Sequence, residues 1–171
     1  IIMLAGFFSY FWVSGVINSM LSLYPKRNEE EKGVLLFNTF LLLTGFSAIV
    51  ALGVLLAYEL HVLAFRDILV LVAFYNIVNA PAFLTEFVLF LHNYNKALVA
   101  YGIGMGFLTL AGLGICALQA TGAVSLLPLA TQYFELAALL VLGAVALVKW
   151  LVLWSLLGKH ATFKVDFALL K

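Results

Sequence analysis

Five long apolar stretches, Ile1–Leu23, Val34–Tyr58, Ile68–Leu91, Ala97–Leu118 and Gln132–Leu157, take up nearly all of this 171-residue chain. Each runs about 20–25 residues, enough to cross a hydrocarbon core of ~30 Å at ~1.5 Å of helix rise per residue. Hydrophobic residues make up 65% of the chain and charged ones 10%, and the mean hydropathy is +1.16. That leaves too little polar surface to coat a water-soluble fold. A bilayer removes the conflict, because lipid accepts an apolar exterior once backbone hydrogen bonds close within helices. The sequence predicts an all-α, polytopic transmembrane bundle, a single unit over residues 1–171.

The loops differ sharply in lysine and arginine. The loop Tyr24–Gly33 carries Lys26, Arg27 and Lys32, with Glu29, Glu30 and Glu31 between them. One span further on, the segment Glu59–Asp67 has Arg66 alone; the next loop, His92–Lys96, has Lys96. The loop Gln119–Thr131 has no charge, and Gly158–Lys171 holds Lys159, Lys164 and Lys171. Lys149 sits in the last turns of the fifth stretch, from which its long side chain can snorkel to the same side. Eight of the nine cations thus fall on one side and Arg66 on the other. Lysine and arginine, not net charge, set orientation, so loops 24–33 and 92–96 and the C-terminus are expected to be cytoplasmic. This arrangement puts Ile1 on the outer side and predicts a further span upstream. The five visible helices would then be helices two to six of a larger protein.

The N-terminus has neither the charged start nor the small-residue cleavage pattern of a signal peptide. Cys116 is the one cysteine, so no intramolecular disulfide is possible, and it reads as a packed small residue.

Ionisable groups inside spans usually face protein or a water-filled cavity. Glu86, about one and a half turns before the His92–Lys96 loop, is the leading candidate. At ~100° per residue, Asn76, Asn79, Phe83 and Glu86 share one narrow arc of their helix. Pro81 predicts a kink in the same span. Such a stripe suits a hydrated pathway, or else interhelical hydrogen bonding by the asparagines with Glu86 near the interface. Lys149 reads as an interfacial anchor beside Trp150 and Trp154, or as a partner for Glu86 across helices. Ser14, Asn18 and Ser22 beside Gly15 form a small polar seam that predicts close helix packing. The run Gly102-Ile-Gly-Met-Gly106 predicts the same, since no strand precedes it as a nucleotide fingerprint requires.

His61, His92 and His160 lie in or near loops and share no helix face, so they predict neither a metal site nor a catalytic pair. No nucleophile motif, paired carboxylates, phosphate loop or basic nucleic-acid patch is found. No cofactor, metal or nucleic-acid partner is expected, and an enzyme is disfavoured.

Three passages resemble the bacterial polysaccharide flippases, of O-antigen type, in the multidrug/oligosaccharidyl-lipid/polysaccharide exporter superfamily. Gly15-Val-Ile-Asn-Ser-Met-Leu-Ser-Leu-Tyr-Pro25 with the charged loop Lys26–Lys32 is similar to the family's second helix and the loop after it. Asn79-Ala-Pro-Ala-Phe-Leu-Thr-Glu86, continuing through Lys96 to Tyr101-Gly102, resembles the fourth helix, inner loop and start of the fifth. Gly158–Lys171, ending Phe163-Lys-Val-Asp-Phe-Ala-Leu-Leu-Lys171, looks like the linker to the seventh.

The resemblance covers the whole chain as part of an N-terminal half. It implies a protein of the bacterial cytoplasmic membrane that moves a polyprenyl-diphosphate-linked oligosaccharide from inner to outer leaflet by alternating access, with a coupling ion as a further candidate partner. In that reading Glu86 is a protonatable or ion-binding group, and Asn76 and Asn79 contact sugar. Lys149 and Arg66 are positions where such proteins place charge. Three rivals stay open: a multidrug or organic-cation antiporter of the same fold, an integral-membrane glycan-processing enzyme, and a small membrane subunit. The short outer loops argue against the enzyme.

Overall fold

The computed structural model describes residues 2–60, 66–121 and 134–166, which are mostly helical, with no strand among them. The helices are α1 (Ile2–Leu23), α2 (Glu29–Glu59), α3 (Arg66–Ala82), α4 (Leu84–Leu91), α5 (Asn95–Ala120) and α6 (Phe134–His160), with a 3-10 turn at Tyr24–Lys26. Four helical segments, Glu29–Leu56, Ile68–Leu91, Asn95–Gln119 and Leu136–His160, are long and apolar enough to cross a membrane. The chain is a helical membrane protein. His61, Lys171 and most of the uncharged loop expected at 119–131 lie outside the described residues.

Local chemistry sets the helix limits. α2 starts five residues before the expected apolar boundary at Val34, because Asn28 and Glu31 cap it reciprocally. The Glu31 backbone N–H donates to Asn28 Oδ1 at 2.9 Å, and the Asn28 N–H donates to Glu31 Oε2 at 3.4 Å. Glu29, Glu30 and Glu31 then fill the first turn, where carboxylates meet the positive end of the helix dipole.

The third apolar stretch is broken, as Pro81 predicts. α3 runs through Pro81 to Ala82, Phe83 forms a turn, and α4 resumes at Leu84. Proline lacks an N–H and crowds the carbonyl four residues back, so the ladder loosens one turn around it. α4 then ends cleanly at Asn93, whose φ of 57° is left-handed. The N–H groups of Asn93 and Tyr94 donate to the carbonyls of Phe90 and Leu89 at 3.0 and 2.9 Å. That is a Schellman closure with asparagine in the usual glycine place.

α3 and α4 form the central rod, flanked by α2 and α6, while α5 lies at the periphery against α6. The tightest core gathers Ile17 and Met20 of α1, Leu36 and Leu43 of α2, Leu84 and Val88 of α4, and Leu153 and Leu157 of α6. Between helices in lipid there is no solvent-driven attraction, so close packing and polar links must supply the cohesion. Hydroxyls in the packed part of α2 fold back on their own helix: buried Thr39 and Ser47 and half-buried Thr44 each donate to a carbonyl three or four residues earlier at 2.8 Å.

The clearest polar link comes from residues 161–166, a non-helical strap laid across the start of α2. Asn38 Nδ2 donates to the Asp166 carbonyl at 2.9 Å, and the Asp166 N–H donates to Asn38 Oδ1 at 3.2 Å. Phe163 meets Phe37 edge-on at 5.1 Å. Gly33 is buried directly under the strap. A Cβ there would stand 2.9 Å from the Thr162 nitrogen and 3.1 Å from the His160 carbonyl oxygen. The strap, the 24–33 segment and the 92–94 turn therefore meet at one end of the bundle, the lysine-rich end.

A charged cleft as the candidate functional site

Glu86 sits in the first turn of α4 and Lys149 on α6, and both line one open cleft of about 370 Å³. The far wall is α5, contributing Gly102, Met105, Gly106 and Thr109. The geometry follows from the break at Phe83. Thr85 and Leu84 are fully buried against the core, which turns the adjacent Glu86 outward. The Thr85 hydroxyl donates to the Lys149 carbonyl in a long 3.4 Å bond, so α4 meets α6 at the level of the two charges.

Glu86 and Lys149 share the cleft without forming a direct ion pair. Glu86 is exposed and Lys149 half-buried. Two separated opposite charges in a span leave a carboxylate free for a cation or proton and an ammonium free for an anion. The Tyr101 hydroxyl is buried close by, and no partner satisfies it with sound hydrogen-bond geometry. The α5 wall is bare: a Cβ on Gly102, Gly104 or Gly106 would meet nothing within 4 Å. The packing role expected for that glycine run is not used among the described residues. Gly112 is the α5 glycine that does pack, since a Cβ there would strike the Val141 side chain of α6.

The other expected site residues lie elsewhere. Asn76 is buried at 3% exposure and Asn79 half-buried, and neither lines the cleft. Phe83 is 38% exposed at the break. Arg66 opens α3, twenty residues before Glu86, about 30 Å along the rod at helical rise. In the seam expected on α1, Ser14 is half-buried while Asn18 and Ser22 are exposed, and a Cβ on Gly15 would touch nothing. Cys116 is buried as expected. Trp150 and Trp154 pack edge-on at 5.4 Å beside Lys149.

The structure brings His92 and His160 into ring contact, although they share no helix face. Their ring centroids are 3.8 Å apart, with Tyr94 stacked on His92 at 6.1 Å and Tyr24 edge-on at 6.3 Å. They share no helix, so no periodicity links them; the turn after α4 and the end of α6 bring them together. Tyr24 is buried there, and burial, then the neighbouring Glu29 charge, push its phenol above the usual tyrosine value. No group of three or more metal-ligating side chains occurs among the described residues. Compared with known proteins, the chain matches no family model, no curated protein and no solved structure.

Proposed function

We propose that this chain forms part of a membrane transporter of the polysaccharide-flippase type, acting on a lipid-linked oligosaccharide in the bacterial cytoplasmic membrane. The observation that supports it best is the cleft holding Glu86 and Lys149 unpaired within membrane-spanning segments. A charge costs several kcal/mol or more in hydrocarbon, so such a cleft faces water, ligand or further protein. In this reading the lysine-rich end is cytoplasmic, and the chain supplies helices two to six of a larger two-bundle protein. In this reading the polyprenyl tail stays in lipid while its diphosphate reaches Lys149. Glu86 carries the coupling proton or cation, and alternating access follows from rocking of one bundle against another. Asn76 and Asn79 stay inside the helix packing in this conformation; they reach sugar only if α3 turns outward.

An organic-cation antiporter of the same fold would also use Glu86. Lys149 in the same cleft opposes a cationic cargo, and this favours the anionic lipid. The test is glycan export in cells carrying the full-length protein with Glu86→Gln or Lys149→Gln, at matched membrane abundance. Loss of export by at least about tenfold in both is expected. Normal export with Glu86→Gln removes Glu86 from coupling, and normal export with both removes the cleft from the pathway.

A further inference from the structure

At the lysine-rich end, away from the cleft, four aromatic side chains from three separate segments close on one another. Tyr24 comes from the turn after α1, His92 and Tyr94 from the turn after α4, and His160 from the last residue of α6. His92 Nδ1 lies 2.9 Å from the Val88 carbonyl and donates to it. On the other side of the ring, Nε2 lies 3.4 Å from the Tyr24 hydroxyl, a contact that a neutral or a protonated ring can make. His160 Nε2 is buried and has no hydrogen-bond partner.

We infer that the His92–His160 contact is a proton-sensitive latch, closing the lysine-rich end of the bundle while the rings are neutral and releasing it when both are protonated. Two imidazolium rings at a centroid distance of 3.8 Å repel each other at close range. The surroundings tolerate one positive charge and oppose a second. Glu29, bound to Lys32 at 2.6 Å, is the carboxylate acting on His92. Against it stand the Lys32 ammonium, 5.4 Å from the Tyr24 ring, and Lys159 beside His160 on α6. The Tyr24 phenol, pushed above its ordinary value by burial, carries no charge near pH 7. The strap brings no titratable group before Lys164 and Asp166, which lie at its Asn38 end.

Opening has a built-in consequence. The His160 carbonyl and Thr162 rest on Gly33, so displacing His160 lifts the strap that bridges α6 to α2. The device senses acid at this end of the bundle, and it does not depend on what passes through the cleft.

The chain has three histidines, so their ring-carbon NMR signals can be assigned by substitution. In the full chain in detergent, His92→Gln should raise the titration midpoint of His160 by at least about half a pH unit. A midpoint that ignores the partner overturns the proposal. Should a variant fail to fold, the unsubstituted protein decides: coupled, separated transitions support the latch, and two independent simple curves refute it. The structural half is read with Cys116→Ser and a reporter at Phe163→Cys. Its labelling by a thiol reagent should rise about threefold or more from pH 7.5 to 5.5, after division by the same ratio in the His92→Gln/His160→Gln background. A corrected ratio of one shows that protonation does not move the strap.

Discussion

Gly33→Ala separates a packing argument from a propensity argument, because the two predict opposite signs. Gly33 lies inside α2, where replacing glycine by alanine normally stabilises by about 1 kcal/mol. Here the added methyl would sit 2.5 Å from Thr162 Oγ1, 2.9 Å from the Thr162 nitrogen and 3.1 Å from the His160 carbonyl oxygen. The hydroxyl can rotate away. The two backbone atoms cannot, so the strap must lift. Lifting it breaks the two Asn38–Asp166 hydrogen bonds, about 1 kcal/mol each, and the Phe37–Phe163 edge contact, about 0.5–1.5 kcal/mol. The propensity gain offsets part of this, leaving a net destabilisation of about 2 kcal/mol. Reversible unfolding in mixed micelles, followed by far-UV circular dichroism, measures it. Asn38→Ala should cost a comparable amount and, combined with Gly33→Ala, add little, because both act through the same strap. A Gly33→Ala protein more stable than the parent would refute the docking of residues 161–166 on α2.

Two further outcomes follow from the same end of the molecule and from the loops. The Tyr24 phenol is held above its ordinary value of about 10 by burial first and Glu29 second, so the fold favours its neutral form. That preference is fully present below the unfolded value; above it the unfolded chain ionises first, and stability is lost as pH rises through 10 toward the folded value. Melting temperatures of the parent should therefore fall more steeply than those of Tyr24→Phe between about pH 9 and 11, and equal slopes would show that the phenol is not buried in solution. For orientation, single cysteines at Lys96 and Ala123 in a Cys116→Ser background should differ in intact cells, with an impermeant reagent modifying only Ala123→Cys; the reverse pattern would invert the assignment of sides.

The helices were legible because period and length suffice for them in lipid, and the Pro81 break was legible because it follows from one missing N–H. The early start of α2 was also written locally, in Asn28 and Glu31 three residues apart, and was hidden only by judging the boundary on hydrophobicity. Glu86 and Lys149 were legible as charges in apolar runs. Their common cleft rests on how α4, α5 and α6 cross, which no spacing encodes. Asn76 is buried and Glu86 exposed because they stand at opposite edges of their shared arc, about 80° apart at ~100° per residue, and only packing decides which edge faces a neighbour. The histidine pair was invisible for a stricter reason: its members are 68 residues apart in the chain and meet through two helix ends.

The break at Phe83 also ties the two sites together physically. It isolates α4 as an eight-residue segment with α3 behind it and the Asn93 turn ahead. Both of the polar features that join this segment to α6 sit at its ends. Thr85 reaches the Lys149 carbonyl beside the cleft, and His92 rests on His160 just past the last turn. Glu86 and His92 are six residues apart, about 9 Å at helical rise. A rigid segment that short cannot change its contact with α6 at one end without tilting at the other. A change at the His92–His160 contact is therefore expected to alter the α4–α6 crossing beside Glu86. The weak and long Thr85 bond is the part of that crossing with least to lose, so the movement is expected to open the cleft rather than shear the core around Leu84 and Val88.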